Sequence, residues 1–171
     1  MSTDNKNLSE YDADTVPSAA DMKFGIVVSE YNNDITEAVF NGTYKTLLKH
    51  GAKEENLLKR YVPGGFELTL GAQFMAEYTN VDAIICIGCI IRGETAHFDY
   101  ICDSITKGLT DLNLEYNLPF LFGVLTTNNY EQALERSGGK RGNKGDEVAI
   151  AAIKMVALKR EMEKRGVRTK I

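Results

Sequence analysis

The sequence predicts an α/β fold, a three-layer α/β/α sandwich on a central parallel sheet of four strands. Three observations predict it. From Met22 onward, short β-rich apolar runs alternate with amphipathic stretches of helical period. The apolar runs are nearly continuous, as in Ala83-Ile84-Ile85-Cys86-Ile87, which is how a strand covered by helices on both faces reads. The length of 171 residues suits one domain with a tail and is enough to bury a core.

Residues 1–21 read as a polar arm. Asp4, Glu10, Asp12 and Asp14 lie among Ser, Asn and Thr with Pro17 and no periodic apolar face, so the arm is expected to be flexible or ordered by a partner. The domain spans 22–165 and a short tail covers 166–171. Its first strand is Phe24 to Val28, followed by a helix from Asp34 to Lys49 that Asn33 or Asp34 caps and His50-Gly51 closes. The second strand, Asn56 to Val62, leads to a helix from Phe66 to Tyr78. The third, Val81 to Ile91, leads to a helix from His97 to Leu114. The fourth, Pro119 to Leu125, is followed by helices at Tyr130 to Arg136 and Gly145 to Arg165. The last helix ends in Lys159, Arg160, Lys164 and Arg165 interleaved with Glu161 and Glu163, which reads as a solvated face suited to the negative end of the helix dipole.

Composition excludes several classes of function. Twenty Lys and Arg against 24 Asp and Glu leave a net charge of -4 with no basic block, so no nucleic-acid partner is expected. The longest apolar run, Ala83 to Ile91, is about half of a bilayer span, and the first residues are polar, so neither membrane nor secretion is expected. Cys86, Cys89 and Cys102 cannot form a closed disulfide set, which fits a reducing, cytoplasmic setting. Cys86 and Cys89 have CxxC spacing, but residues three apart in a strand face opposite ways and cannot share an ion. With only His50 and His97 as histidines, no metal site is expected.

In parallel α/β sheets ligands bind at the carboxyl ends of the strands. The segments there are Ser29-Glu30-Tyr31-Asn32-Asn33, Pro63-Gly64-Gly65-Phe66-Glu67, Arg92-Gly93-Glu94-Thr95-Ala96-His97 and Thr126-Thr127-Asn128, with a glycine-rich loop from Ser137 to Gly145 beyond them. Each has a plainer reading. Pro63-Gly64-Gly65 is a turn in which glycine supplies positive φ, Glu67 a first-turn acid, and Thr95 a helix N-cap. The expected convergence of all the segments on one edge favours a single site. The glycine-rich loop lacks the Gly-Lys-Ser/Thr ending of a nucleotide-binding loop, but Arg136, Lys140 and Lys144 near a helix N-terminus suit one phosphate group.

Five motifs in order make the chain resemble the 6,7-dimethyl-8-ribityllumazine synthase family of riboflavin biosynthesis from Phe24 to about Met162. They are Tyr31-Asn32 with Ile35-Thr36; Val62-Pro63-Gly64-Gly65-Phe66-Glu67-Leu68; Gly88 to Tyr100, with Arg92-Gly93-Glu94-Thr95-Ala96-His97 inside it; Phe122-Gly123-Val124-Leu125-Thr126-Thr127; and Arg136 with Gly142-Asn143-Lys144-Gly145. The resemblance implies condensation of 5-amino-6-(D-ribitylamino)uracil with 3,4-dihydroxy-2-butanone 4-phosphate, releasing phosphate and water, with no cofactor and no metal. It implies that Tyr31 stacks on the pyrimidine, with Asn32 beside it among the substrate-binding residues. Gly65, Phe66 and Glu67 would line the ribityl pocket, while Cys89, Ile90, Ile91 and Phe122 would face the pyrimidine. Glu94, Thr95 and Arg136 would receive the phosphate with help from Lys144, the Glu94 side chain turning away, and His97 would move protons. The family forms pentamers or sixty-subunit shells with active sites between neighbouring subunits. The segment around Thr15 to Ala20 is accordingly expected to add a strand to the next subunit's sheet.

Overall fold

Residues 7–166 are described by the computed structural model; the start of the arm and all but the first residue of the 166–171 tail lie outside that range. The strands are β1 (Phe24–Ser29), β2 (Leu57–Val62), β3 (Ala83–Ile91) and β4 (Phe120–Thr127). They form one sheet in the order β2-β1-β3-β4, and every neighbouring pair is parallel, as expected. The connections are α1 (Asn33–Lys49), α2 (Leu68–Tyr78) and α3 (His97–Tyr116), with α4 (Tyr130–Arg136) and α5 (Lys144–Lys164) after β4.

Strand period two divides the core. Phe24, Ile26, Val28, Ile85, Ile87 and Cys89 join Ile35, Val39 and Leu47 of α1 and Val148, Ala152, Ile153 and Val156 of α5. Val27, Ile84, Cys86 and Val124 join Leu68, Ala72 and Met75 of α2 and Ile105, Leu109 and Leu112 of α3. Burying each large aliphatic side chain contributes about 1.5–3 kcal/mol, which is why these continuous apolar strands sit inside rather than at a solvated face. The two cysteines therefore occupy opposite faces of β3, and burial pushes both thiols up to about 12, leaving them neutral.

On one face, α1 and α5 pack closely because two glycines permit it. A Cβ on Gly145 would lie 2.0 Å from the Val39 carbonyl oxygen, and one on Gly42 would lie 2.5 Å from Asn143 Cγ. Asn143 then locks the contact. Its amide donates to the Ala38 and Ser137 carbonyls at 2.9 and 3.2 Å, and its Oδ1 accepts from Gly145 N–H at 2.7 Å, capping α5.

The structure changes four local expectations. First, α1 begins after Asn32, which has left-handed φ of 56° and no side-chain cap, so neither Asn33 nor Asp34 caps it. Second, the glycine-rich loop is a hairpin of β5 (Ser137–Gly139) and β6 (Gly142–Asn143), because Gly138 and Gly142 adopt positive φ of 120° and 79°. Third, the described residues of the arm, expected to be flexible or ordered by a partner, also make contacts within this chain. Ala13–Thr15 is a 3-10 turn, Ala19 is fully buried, and its N–H donates to the His50 carbonyl at 2.8 Å. Fourth, Arg160 is not merely solvated: it bridges Asp21 at 2.7 Å and Asp82 at 3.2 Å, holding the segment before β1 against α5.

Candidate active site

Because the sheet is parallel, the loops after β1, β2 and β3 emerge at one edge, where they enclose an open cleft of about 780 Å³. Its walls include Tyr31, Asn32, Gly65, Phe66, Glu67, Cys89, Ile90, Ile91, Thr95 and His97. Tyr31 and Phe66 are 71% and 61% exposed, so two aromatic faces stand at the mouth with little covering them.

Local structure explains how each wall is held. β3 pairs with β1 only as far as Val28↔Ile87, yet continues alongside β4 to Ile91↔Thr127. The β1 side of its last turn of strand is thus left open, offering main-chain donors and acceptors to a planar ring. Asn32 uses its left-handed backbone to aim its amide at this edge, donating to the Cys89 carbonyl at 3.0 Å. Gly64 and Gly65 do not have positive φ. A Cβ at 65 would come within 3.2 Å of Ile105 Cδ1, a tight contact with the end of a flexible side chain, and would meet Ile90 at an ordinary 3.5 Å. Glu67 sits at the start of α2 with its side chain making no capping bond, so its carboxylate is free of that duty.

The third wall is the turn that ends in His97, the first residue of α3. Thr95 is not the cap residue; Ala96 is, without a side-chain bond, and Thr95 Oγ1 accepts from His97 N–H only at 3.4 Å. Glu94 is exposed between Gly93 and Thr95, which line the cleft, and is not itself among the lining residues. Phe98 and Ile101 complete the wall. Phe98 lies within the Gly88 to Tyr100 motif without an assigned role, and Ile101 lies beyond that motif, although it stands four residues after His97 and so shares its helix face.

Arg136 and Lys144 are elsewhere. They line a second cleft of about 570 Å³ with Thr126, Thr127, Tyr11 and Lys154. The expected convergence of all segments on one pocket is therefore corrected: within one chain they form two clefts with no lining residue in common. The cause is layer assignment. Ala133 of α4 packs in the α1/α5 core, whereas Leu68 and Ile105, beside the first cleft, belong to the α2/α3 core. In the second cleft Lys144 Nζ pairs with Glu147 at 2.8 Å, while Arg136 donates to the Gln132 carbonyl at 3.0 Å and lies 3.8 Å from Glu135. Lys140 is exposed and does not line this cleft. Phe122 lines neither; it pairs in register with Cys86, half-buried against the α2/α3 core.

A hydrogen bond between Tyr130 and Asp34 ties the start of α4 to the first turn of α1, and it raises the Tyr130 phenol above its ordinary value. Among the described residues no cluster of three or more His, Cys, Asp and Glu side chains is placed to hold a metal ion. No helix among them is long and apolar enough to cross a membrane.

Comparison with known proteins gives this geometry its context. A family model described as 6,7-dimethyl-8-ribityllumazine synthase matches residues 21–160. The chain belongs to the 6,7-dimethyl-8-ribityllumazine synthase family. The protein of that name from Parabacteroides distasonis is 54% identical over 156 residues, covering 91% of this chain and 98% of the relative. That from Cytophaga hutchinsonii is 54% identical over 157 residues, covering 92% and 98%, and that from Bacteroides fragilis is 59% identical over 135 residues, covering 79% and 94%. The span matched to the lumazine synthase family contains every residue of the first cleft, and of the second all but Leu8, Glu10 and Tyr11.

Proposed function

We propose that this enzyme condenses 5-amino-6-(D-ribitylamino)uracil with 3,4-dihydroxy-2-butanone 4-phosphate to 6,7-dimethyl-8-ribityllumazine, and that a neighbouring copy of the chain completes the site. One observation carries the second part: the cleft uniting Tyr31, Phe66, Glu67 and His97 lacks Arg136, Lys144 and Phe122. Juxtaposing that cleft with the second cleft of another subunit supplies the missing cations.

In this reading Tyr31 stacks on the pyrimidine and the open edge of β3 at Ile90 and Ile91 pairs with its polar rim. Glu67 accepts from ribityl hydroxyls. Arg136 from the neighbour binds the phosphate through a charge-assisted fork, and Lys144 adds charge. The Thr95 and Glu94 main chain faces the same group. The amine attacks the ketone carbon, one water leaves to form the imine, phosphate is eliminated, and a second condensation closes the ring with loss of a second water. His97 gives and takes protons during these steps, since imidazole does both near neutrality. Most of the acceleration comes from holding two intrinsically reactive partners in register. The protein works in the cytoplasm as a pentamer or larger shell, where Cys86, Cys89 and Cys102 remain free thiols.

The test is turnover with both substrates, read by absorbance of the lumazine, and light scattering. An active monomer at micromolar concentration overturns the shared site. Co-assembly of the impaired His97→Ala and Arg136→Ala chains in equal amounts should raise activity to about a quarter of wild type, because random neighbours reunite one intact pair of residues at that frequency. No recovery in mixed assemblies would place both residues in a single subunit's site.

A further inference from the structure

We propose that Arg92 is a positioning residue for His97: with Asp99 and Phe98 it clamps the turn that presents the imidazole to the cleft. The inference rests on the reading of His97 as the proton-transfer group.

The turn has little else to hold it. The Gly93–Ala96 stretch is exposed, a Cβ on Gly93 would meet nothing within 4 Å, and α3 starts without a side-chain cap. A helix end in that condition frays, and His97 is its first residue. Arg92 supplies three anchors. Its main-chain N–H donates to the Thr127 carbonyl at 2.8 Å, fixing the root of the turn to the end of β4. Its Nη2 and Nη1 donate to the two carboxylate oxygens of Asp99 at 2.8 and 3.2 Å. Its guanidinium carbon lies 4.1 Å from the centre of the Phe98 ring, which lines the cleft.

The clamp thus closes the chain from just before the turn to the two residues directly after His97. A bidentate fork sets orientation as well as distance, and the flat guanidinium stacks on the ring; a lysine would keep the charge but do neither. The pair is largely exposed, with side chains at 42% and 55%, so it adds little to global stability. Its effect is therefore geometric, on one histidine.

The experiment uses the assembled full-length enzyme carrying Arg92→Lys, Asp99→Asn, Asp99→Glu or His97→Ala, and the doubles of the first two with His97→Ala. Single-turnover rate, KM for each substrate and melting temperature are measured. Arg92→Lys and Asp99→Asn should each slow the reaction about tenfold, short of the roughly hundredfold that a 1 Å misplacement can cost, with both KM values within about twofold of wild type. Asp99→Glu should recover part of the rate. In the His97→Ala background neither substitution should slow the reaction further, because the residue they position is gone. Losses that multiply in that background, an unchanged rate in the single variants, or a fall in melting temperature with both KM values raised would each overturn the clamp. If His97→Ala alone leaves the rate unchanged, the reading of His97 fails, and that single variant reveals it independently of the clamp.

Discussion

Replacing Arg136 by Ala should separate binding of the two substrates. Its guanidinium carries five N–H donors, of which Nη1 is engaged by the Gln132 carbonyl, so most of the fork is available to a phosphate. The ion pair it makes among the described residues, to Glu135 at 3.8 Å with side chains 30% and 32% exposed, is long and partly solvated. Pairs of that kind contribute about 0–1 kcal/mol, so fold stability should barely change. Loss of charge-assisted bonds to phosphate should cost about 1.5–3 kcal/mol, or roughly tenfold to a hundredfold in kcat/KM for the butanone phosphate. Lys144→Ala should cost less, because Glu147 already engages its ammonium at 2.8 Å and a phosphate has to share it. Steady-state kinetics with each substrate varied in turn, together with calorimetry on the ribitylaminopyrimidine, gives the answer. Equal weakening of both substrates, with a lowered melting temperature, would show that Arg136 supports folding or assembly instead.

His97→Ala should retain pyrimidine affinity by calorimetry while slowing single turnover about a hundredfold, the low end for a lost acid/base; an unchanged rate removes the residue from the chemistry. Gly145→Ala forces a Cβ to 2.0 Å from the Val39 carbonyl and 2.6 Å from Thr43 N, both backbone atoms. It should cost about 3 kcal/mol, the upper end of overpacking, seen as a melting point lower by roughly 6 to 12 °C. Asp21 is held below its ordinary 3.8, first by its hydrogen bond to Arg160 and then by that residue's charge. A depressed carboxylate adds stability that is present above the ordinary value and lost as pH falls through the lowered one. Asp21→Asn should therefore flatten the acid limb of the melting-temperature profile, and an identical limb would show that the pair does not form in solution.

Much of this molecule was readable residue by residue. The continuous run through Ala83 to Ile87 announced a buried parallel strand, because only a strand covered on both faces has no polar alternation. Strand period two separated Cys86 from Cys89, and the direction of a parallel sheet brought Tyr31, Phe66, Glu67 and His97 to one edge. Side-chain alternation and chain direction are local properties, carried by the residues themselves. The sequence did not reveal why residue 145 is glycine: the backbone it would strike, at Val39 and Thr43, comes from a distant segment. The left-handed turn at Asn32 was equally hidden, since its amide bonds to a carbonyl 57 residues away. Above all, only the tertiary structure decided that Arg136 and Lys144 stand in a different cleft from His97. Every loop after a strand leaves at the same edge, but which layer it turns into depends on the order β2-β1-β3-β4 and on which core its next helix fills. That choice is made by burial between segments far apart in the chain, and no local pattern encodes it.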